Sequence, residues 1–237
     1  MSEEQKPYLT VLQTYLTALQ SLENNVLNGI LDNFPTLKAV GRIDQRLVSS
    51  GIKGHLYLII GGMYSGKTTK LINLINQAKD HDIKFQVFKP IIDNRYDKNK
   101  INSHNKVSTE CELIENSARF SDKIMDDTEI VFIDEIQFID VGIVQHIENL
   151  IDSGKVVICT GLNLDFKQEA FNVIRDLLPS ADYIDKLTSN CYKCNDIATL
   201  TQRLIDGKPA GYYDPVVLVG AENLYKPVCR SCYEIRK

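Results

Sequence analysis

An apolar run, L-Y-L-I-I at residues 56–60, leads straight into G-G-M-Y-S-G-K-T at residues 61–68. Gly61, Gly66, Lys67 and Thr68 match the spacing G-x-x-x-x-G-K-[ST]. Glycines at those positions let backbone N–H groups come close to a phosphate. Gly62, Met63, Tyr64 and Ser65 form the intervening turn. A helix following the loop adds the positive end of its dipole. Lys67 is spaced to bridge the β- and γ-phosphates of a nucleoside triphosphate, and the Thr68 hydroxyl to ligate Mg²⁺. The bare pattern has false positives. An apolar strand before it and a helical pattern over residues 68–79 provide the context that gives it weight.

Downstream, short apolar runs alternate with helical patterns. F-Q-V-F (85–88), E-I-V-F-I-D (129–134) and K-V-V-I-C-T-G (155–161) read as strands. Residues 141–153 read as a helix stopped by Gly154. Strands alternating with helices imply an α/β fold, a parallel sheet covered on both faces. The third strand ends in Asp134 and Glu135. An acid at the end of a neighbouring strand completes a triphosphate site, so Asp134 is the expected Mg²⁺ ligand. Glu135 lies where a general base reaches a nucleophile. Two chemistries stay open at this point: activation of water, as in an ATPase, or of a substrate hydroxyl, as in a kinase.

Past residue 189 the composition shifts to cysteine, glycine and tyrosine. Cys191 and Cys194 make one C-x-x-C pair, Cys229 and Cys232 another. Four thiolates are the tetrahedral set that structural zinc prefers, with no open position for catalysis. A ribbon of this kind can also bind nucleic acid. The net charge of -4 and the few basic or aromatic residues beside the cysteines argue against that. Between the pairs, residues 206–225 are rich in glycine and proline and read as a long loop, either a lid pinned at both ends or a plain connection.

Residues 1–54 read as a separate helical extension. Leu9, Leu12, Leu16, Leu19, Val26, Leu27, Ile30 and Leu31 recur at helical spacings, broken near Asn33 and Pro35. That stripe suits either packing on the body of the protein or self-association. The remainder divides into a 55–188 core domain and a 189–237 cysteine domain. No secretory signal or membrane span is expected, which points to a cytoplasmic protein whose cysteines are not a disulfide framework.

With these residues in hand, the chain resembles the type II, zinc-containing thymidine kinases over roughly residues 55–235. The likeness is carried by G-G-M-Y-S-G-K-T-T, by K-P-I-I-D-N-R-Y (89–96) and by Ser103 with His104. It continues through D-E-I-Q-F (134–138), G-L-N-L-D-F (161–166) and E-A-F (169–171). It closes with C-Y-K-C and V-G-A-E-N-L-Y-K-P-V-C-R-S-C (219–232). The resemblance implies a RecA-like P-loop domain with a small zinc-binding lasso domain. It implies transfer of the ATP γ-phosphate to the 5′-hydroxyl of thymidine, resolving the acid pair toward kinase, with no nucleic acid or membrane as partner.

By the same likeness Glu135 is the catalytic base. Asp93, Asn94 and Arg95, with Asp134 and Gln137, lie near the nucleotide phosphates. Phe166, Phe171 and Met63 line the nucleoside pocket, and Val216, Val217, Leu218, Val219, Gly220 and Tyr225 form the loop that wraps the base. A homotetramer is also implied. The chain departs from the usual pattern at Asn163 (commonly Asp), Asn223 (commonly acidic) and Gly62 (often Pro), and carries a longer loop between the cysteine pairs.

Overall fold

The computed structural model describes residues 54–91, 100–102, 108–216 and 224–236, all within the compact unit Val48–Lys237. The apolar run becomes β1 (Leu56–Gly61), buried at every position. A strand buried on both faces belongs inside a parallel sheet. The elements that follow are α1 (Lys67–Asp80), β2 (Phe85–Pro90), an antiparallel ribbon of β3 (Lys100–Asn102) and β4 (Ser108–Glu110), then β5 (Glu112–Ile114). Next come β6 (Ile130–Ile133), α2 (Ile143–Asp152), β7 (Val156–Leu162), α3 (Asn172–Leu177) and β8 (Tyr183–Leu187).

Six of these strands form one parallel sheet in the order β5-β2-β6-β7-β1-β8. The arrangement confirms the expected α/β architecture. The strand carrying the glycine loop and the strand carrying the acids are not neighbours; β7 lies between them. All strands run the same way, so the loops after β1, β6 and β7 open at one edge.

Helix α2 buries Ile143, Ile147 and Leu150, a stripe at spacings of four and three. These side chains join Leu56, Leu58, Val131, Ile133, Val157 and Phe88 in the main core. Gly154, at φ +90°, follows the end of α2, and its N–H donates to Ile151 O at 2.9 Å.

Two edge strands, β5 and β8, add to the four read from the sequence. β5 has only three residues. β8 alternates half-buried and exposed positions, so it shows no apolar run. It is fastened by polar contacts instead: Asp185 accepts from the Tyr57 hydroxyl on β1 and from the Lys70 ammonium on α1. Burial, reinforced by the Asp185 carboxylate, raises the Tyr57 pKa and keeps that phenol neutral.

After β8 the chain makes β9 (Ser189–Asn190) with β10 (Ile197–Ala198), then β11 (Leu200–Ile205) flanked by β12 (Lys208–Pro209) and β13 (Tyr225–Val228), all antiparallel. A small separate core of Cys191, Ala198, Leu200, Val228 and Cys229 holds this module. All but the last residue of the helical extension expected at residues 1–54, together with Asp93, Asn94, Arg95, Ser103, His104, Val217, Leu218, Val219, Gly220 and Asn223, lie outside the described residues. No described helix is long and apolar enough to cross a membrane.

Phe132 on β6 is fully buried and meets Phe85 edge-on, with ring centroids 5.8 Å apart. Phe132→Ala should cost about 3–5 kcal/mol of unfolding free energy, read from denaturant midpoints. A loss under about 1 kcal/mol would mean that the sheet core is not packed around this ring.

Candidate active site and metal centre

The glycine loop is shaped by two positions. A Cβ at Gly61 would lie 2.5 Å from Leu187 O and 2.6 Å from Ser65 Oγ, so only glycine lets β1 end this close to β8. Gly66, at φ +86°, turns the chain into α1 through the left-handed region. Inside the loop, the Ser65 hydroxyl and the Lys67 ammonium both donate to Gly62 O, at 2.9 and 2.8 Å. The Met63 N–H donates to Thr201 Oγ1 at 3.2 Å, joining the loop to β11 of the cysteine module. Met63, Tyr64, Ser65, Gly66, Lys67 and Thr68 line one cavity, which Thr69, Glu135 and Leu162 complete.

Asp134 directly follows β6 and is 3% exposed. Its carboxylate oxygens lie 3.4 and 3.3 Å from Thr68 Oγ1, across the β7 end. A hard divalent cation takes oxygen ligands. The chain brings a hydroxyl and a carboxylate together where the helix α1 dipole and Lys67 gather phosphate charge, so these residues suit a triphosphate-bound Mg²⁺. Asp134 also accepts from the Thr160 hydroxyl.

Glu135 adopts φ +52°, a left-handed backbone in a side chain other than glycine. Such residues store about 1–3 kcal/mol of strain and concentrate at functional sites. Glu135 lines the loop cavity. Gln137 Nε2 donates to Glu135 Oε2 at 2.5 Å, while Gln137 Oε1 accepts the Leu162 N–H at 3.0 Å. Gln137, expected near the phosphates, is thus engaged with the acid beside it and with the end of β7.

The residues expected around a nucleoside are divided. Phe166 is buried, with the Arg203 guanidinium 5.2 Å from its ring centroid and Lys167 Nζ 5.7 Å away. Arg203 is also 5.9 Å from the Tyr225 ring, so it lies near both aromatics. Arg203 donates to Pro215 O, and the Tyr225 hydroxyl donates to Val216 O at 3.2 Å. These two contacts tether the middle of the long loop at Pro215 and Val216. Phe171 caps α3, meets Phe138 edge-on at 6.2 Å and packs on the main core. It does not share the cavity lining with Met63.

Three residues here went unread in the sequence, Thr160, Thr201 and Arg203, and Tyr233 was read only as one of the few aromatics beside the cysteines. Tyr233, next to Cys232, donates to Phe166 O at 2.6 Å. Polar residues ending or interrupting apolar strands were the available signal for Thr160 and Arg203.

The four cysteines converge as their spacing requires. Their Sγ atoms all lie within 4.8 Å of one another, with Cys194 and Cys229 at 3.6 Å. A tetrahedral zinc with Zn–S of about 2.3 Å needs S···S of about 3.8 Å, so the set is positioned for zinc. Burial opposes the Cys191 thiolate, but N–H donors from Cys229, Cys194 and Lys193 outweigh it and lower the pKa to about 6. Hydrogen bonds with Cys194 and Cys229 push Cys232 up to about 12. Zinc would be held by the four deprotonated sulfurs, so its binding would release thiol protons.

A glycine loop at the end of a central parallel strand, facing an acid strand two places away, defines a P-loop nucleotide-binding protein. A family model described as thymidine kinase matches residues 54–233. The chain belongs to the thymidine kinase family, a family of kinases that phosphorylate thymidine. Among solved structures it is similar to the pilus retraction motor PilT with bound ADP, at 16% identity and a TM-score of 0.39, over 65% of this chain and 49% of that one. The chain therefore spans about half the length of that structure.

Zinc should bind at about one per chain. Cys229→Ser should release it and unfold the cysteine module, seen as lost metal content and as new protease cleavage after residue 189. A metal-free protein with unchanged protease resistance would show that the module holds itself together.

Proposed function

We propose that this chain transfers the γ-phosphate of ATP to the 5′-hydroxyl of thymidine, giving thymidine monophosphate for DNA precursor synthesis. The observation that carries this reading is the meeting of Glu135 with the Met63–Thr69 stretch of the glycine loop in one cavity, inside a chain of the thymidine kinase family. A carboxylate at the mouth of a triphosphate cradle is where a hydroxyl acceptor must lose its proton.

In this mechanism the loop amides of residues 61–66 and the Lys67 ammonium hold the β- and γ-phosphates. Thr68 and Asp134 would hold Mg²⁺, which would supply neutralisation of phosphate charge. Glu135 accepts the 5′-hydroxyl proton as that oxygen bonds to the γ-phosphorus, and the bond from phosphorus to the bridging oxygen breaks to release ADP. Gln137 keeps the Glu135 carboxyl in one rotamer. Asp93, Asn94 and Arg95 act near the phosphates. Phe166, Phe171, Met63 and Tyr225 bound the nucleoside, and the loop through Val216, Val217, Leu218, Val219 and Gly220 closes over the base. Closure excludes water, which favours a sugar hydroxyl over hydrolysis. Zinc is structural. The division at residues 54 and 188, a homotetrameric assembly and a cytoplasmic location complete the proposal.

Purified protein should phosphorylate thymidine with ATP and Mg²⁺. Glu135→Gln should lower kcat by about 10²–10⁴-fold while ATP still binds, because the shape is kept and the base removed. Full activity in that variant, or no thymidine monophosphate from the wild type, would overturn the assignment. Lys67→Ala should lower kcat/KM for ATP in the same assay.

A further inference from the structure

Thr160 is the last residue but two of β7, and its side chain is fully buried. β7 separates β6 from β1 in the sheet. In register, Ile133 pairs with Cys159 and Ile59 pairs with Thr160. Thr160 therefore stands beside Asp134, one step past the last pair of β6 with β7. Its hydroxyl donates to Asp134 Oδ1. The same oxygen lies 3.4 Å from the Glu135 backbone N–H, which donates to it.

A hydroxyl has one proton and two lone pairs. Against an ionised carboxylate and an amide its roles are forced: the proton goes to Asp134 and a lone pair receives Glu135 N–H. We propose that Thr160 is a positioning residue that gives these two adjacent acids their separate tasks. Adjacent side chains in an extended strand already point to opposite faces. Here both acids lie just past the end of β6, and Glu135 takes a left-handed backbone at φ +52°. One contact fixes the rotamer of Asp134 beside Thr68, and the other holds the strained turn that presents Glu135 to the loop cavity. Gln137 supplies the distal hold on the Glu135 carboxyl and returns to β7 at Leu162. The end of β7 thus grips the base at both backbone and side chain. This inference rests on the proposed kinase reaction, in which Asp134 serves the metal and Glu135 the acceptor.

The test uses the full-length, zinc-loaded protein. Thr160→Val keeps the volume and removes both contacts; Thr160→Ser keeps the hydroxyl. Loss of an outer-shell partner of a metal ligand costs about 10–100-fold in metal affinity or activity. The Val variant should lose about that factor in kcat, with KM for thymidine changed by less than about threefold. Calorimetric binding of ADP should lose most of its Mg²⁺ dependence in the Val variant, a readout that needs no turnover. The Ser variant should restore both. Should Thr160→Val fail to fold, Thr160→Ala is read in the same way. A folded Val or Ala variant with wild-type kcat and Mg²⁺-dependent ADP binding overturns the role of Thr160 while leaving the kinase reading intact. A wild-type protein without thymidine phosphorylation removes the kinase reading itself, whatever the variants do.

Discussion

A parallel sheet buried on both faces leaves one place for chemistry: the edge where its strands end. Within β1 and β6 every position is buried and the backbones are paired with neighbouring strands. Only past Gly61, Ile133 and Thr160 can polar groups turn toward a ligand. Since all three strands run in one direction, their ends converge. The strand order then puts β7 between the phosphate loop and the acids, and the spacing of one strand on each side sets Thr68 within reach of Asp134. The site is a consequence of direction and order before it is a consequence of particular side chains.

The cysteine module adds a second constraint from outside the sheet. Its strand β11 receives the Met63 N–H of the phosphate loop through Thr201, and Tyr233 beside Cys232 holds the Phe166 carbonyl. The donor half of the site and an aromatic assigned to the acceptor half are therefore both tied to a unit whose buried core is five residues, two of them zinc-ligand cysteines by spacing. Such a core is too small to be rigid alone, which is the physical reason for a metal there.

What could be read in advance follows from how far apart the cooperating residues lie in the chain. The glycine loop, its strand and its helix are contiguous, so their chemistry was legible in eight residues. The cysteine pairs were legible because a spacing of two within each pair is itself a ligand geometry. β8 was not, because its alternating exposure resembles a loop and its fastening comes from Tyr57 and Lys70, over a hundred residues away. Thr160 and Arg203 were hidden for a similar reason: their partners are set by strand register and by a loop tether.

Glu135 bears on how this chain can change. Its backbone conformation is one that glycine would occupy without strain, and replacement there would relieve the fold while deleting the one carboxylate that lines the phosphate-loop cavity among the described residues. Selection for thermal robustness alone would drift toward that loss, while selection for turnover forbids it. The residue therefore marks a point where the optimum sequence for folding and the optimum for chemistry part company, and a screen that rewards only the folded state would be expected to disarm the enzyme first at this position.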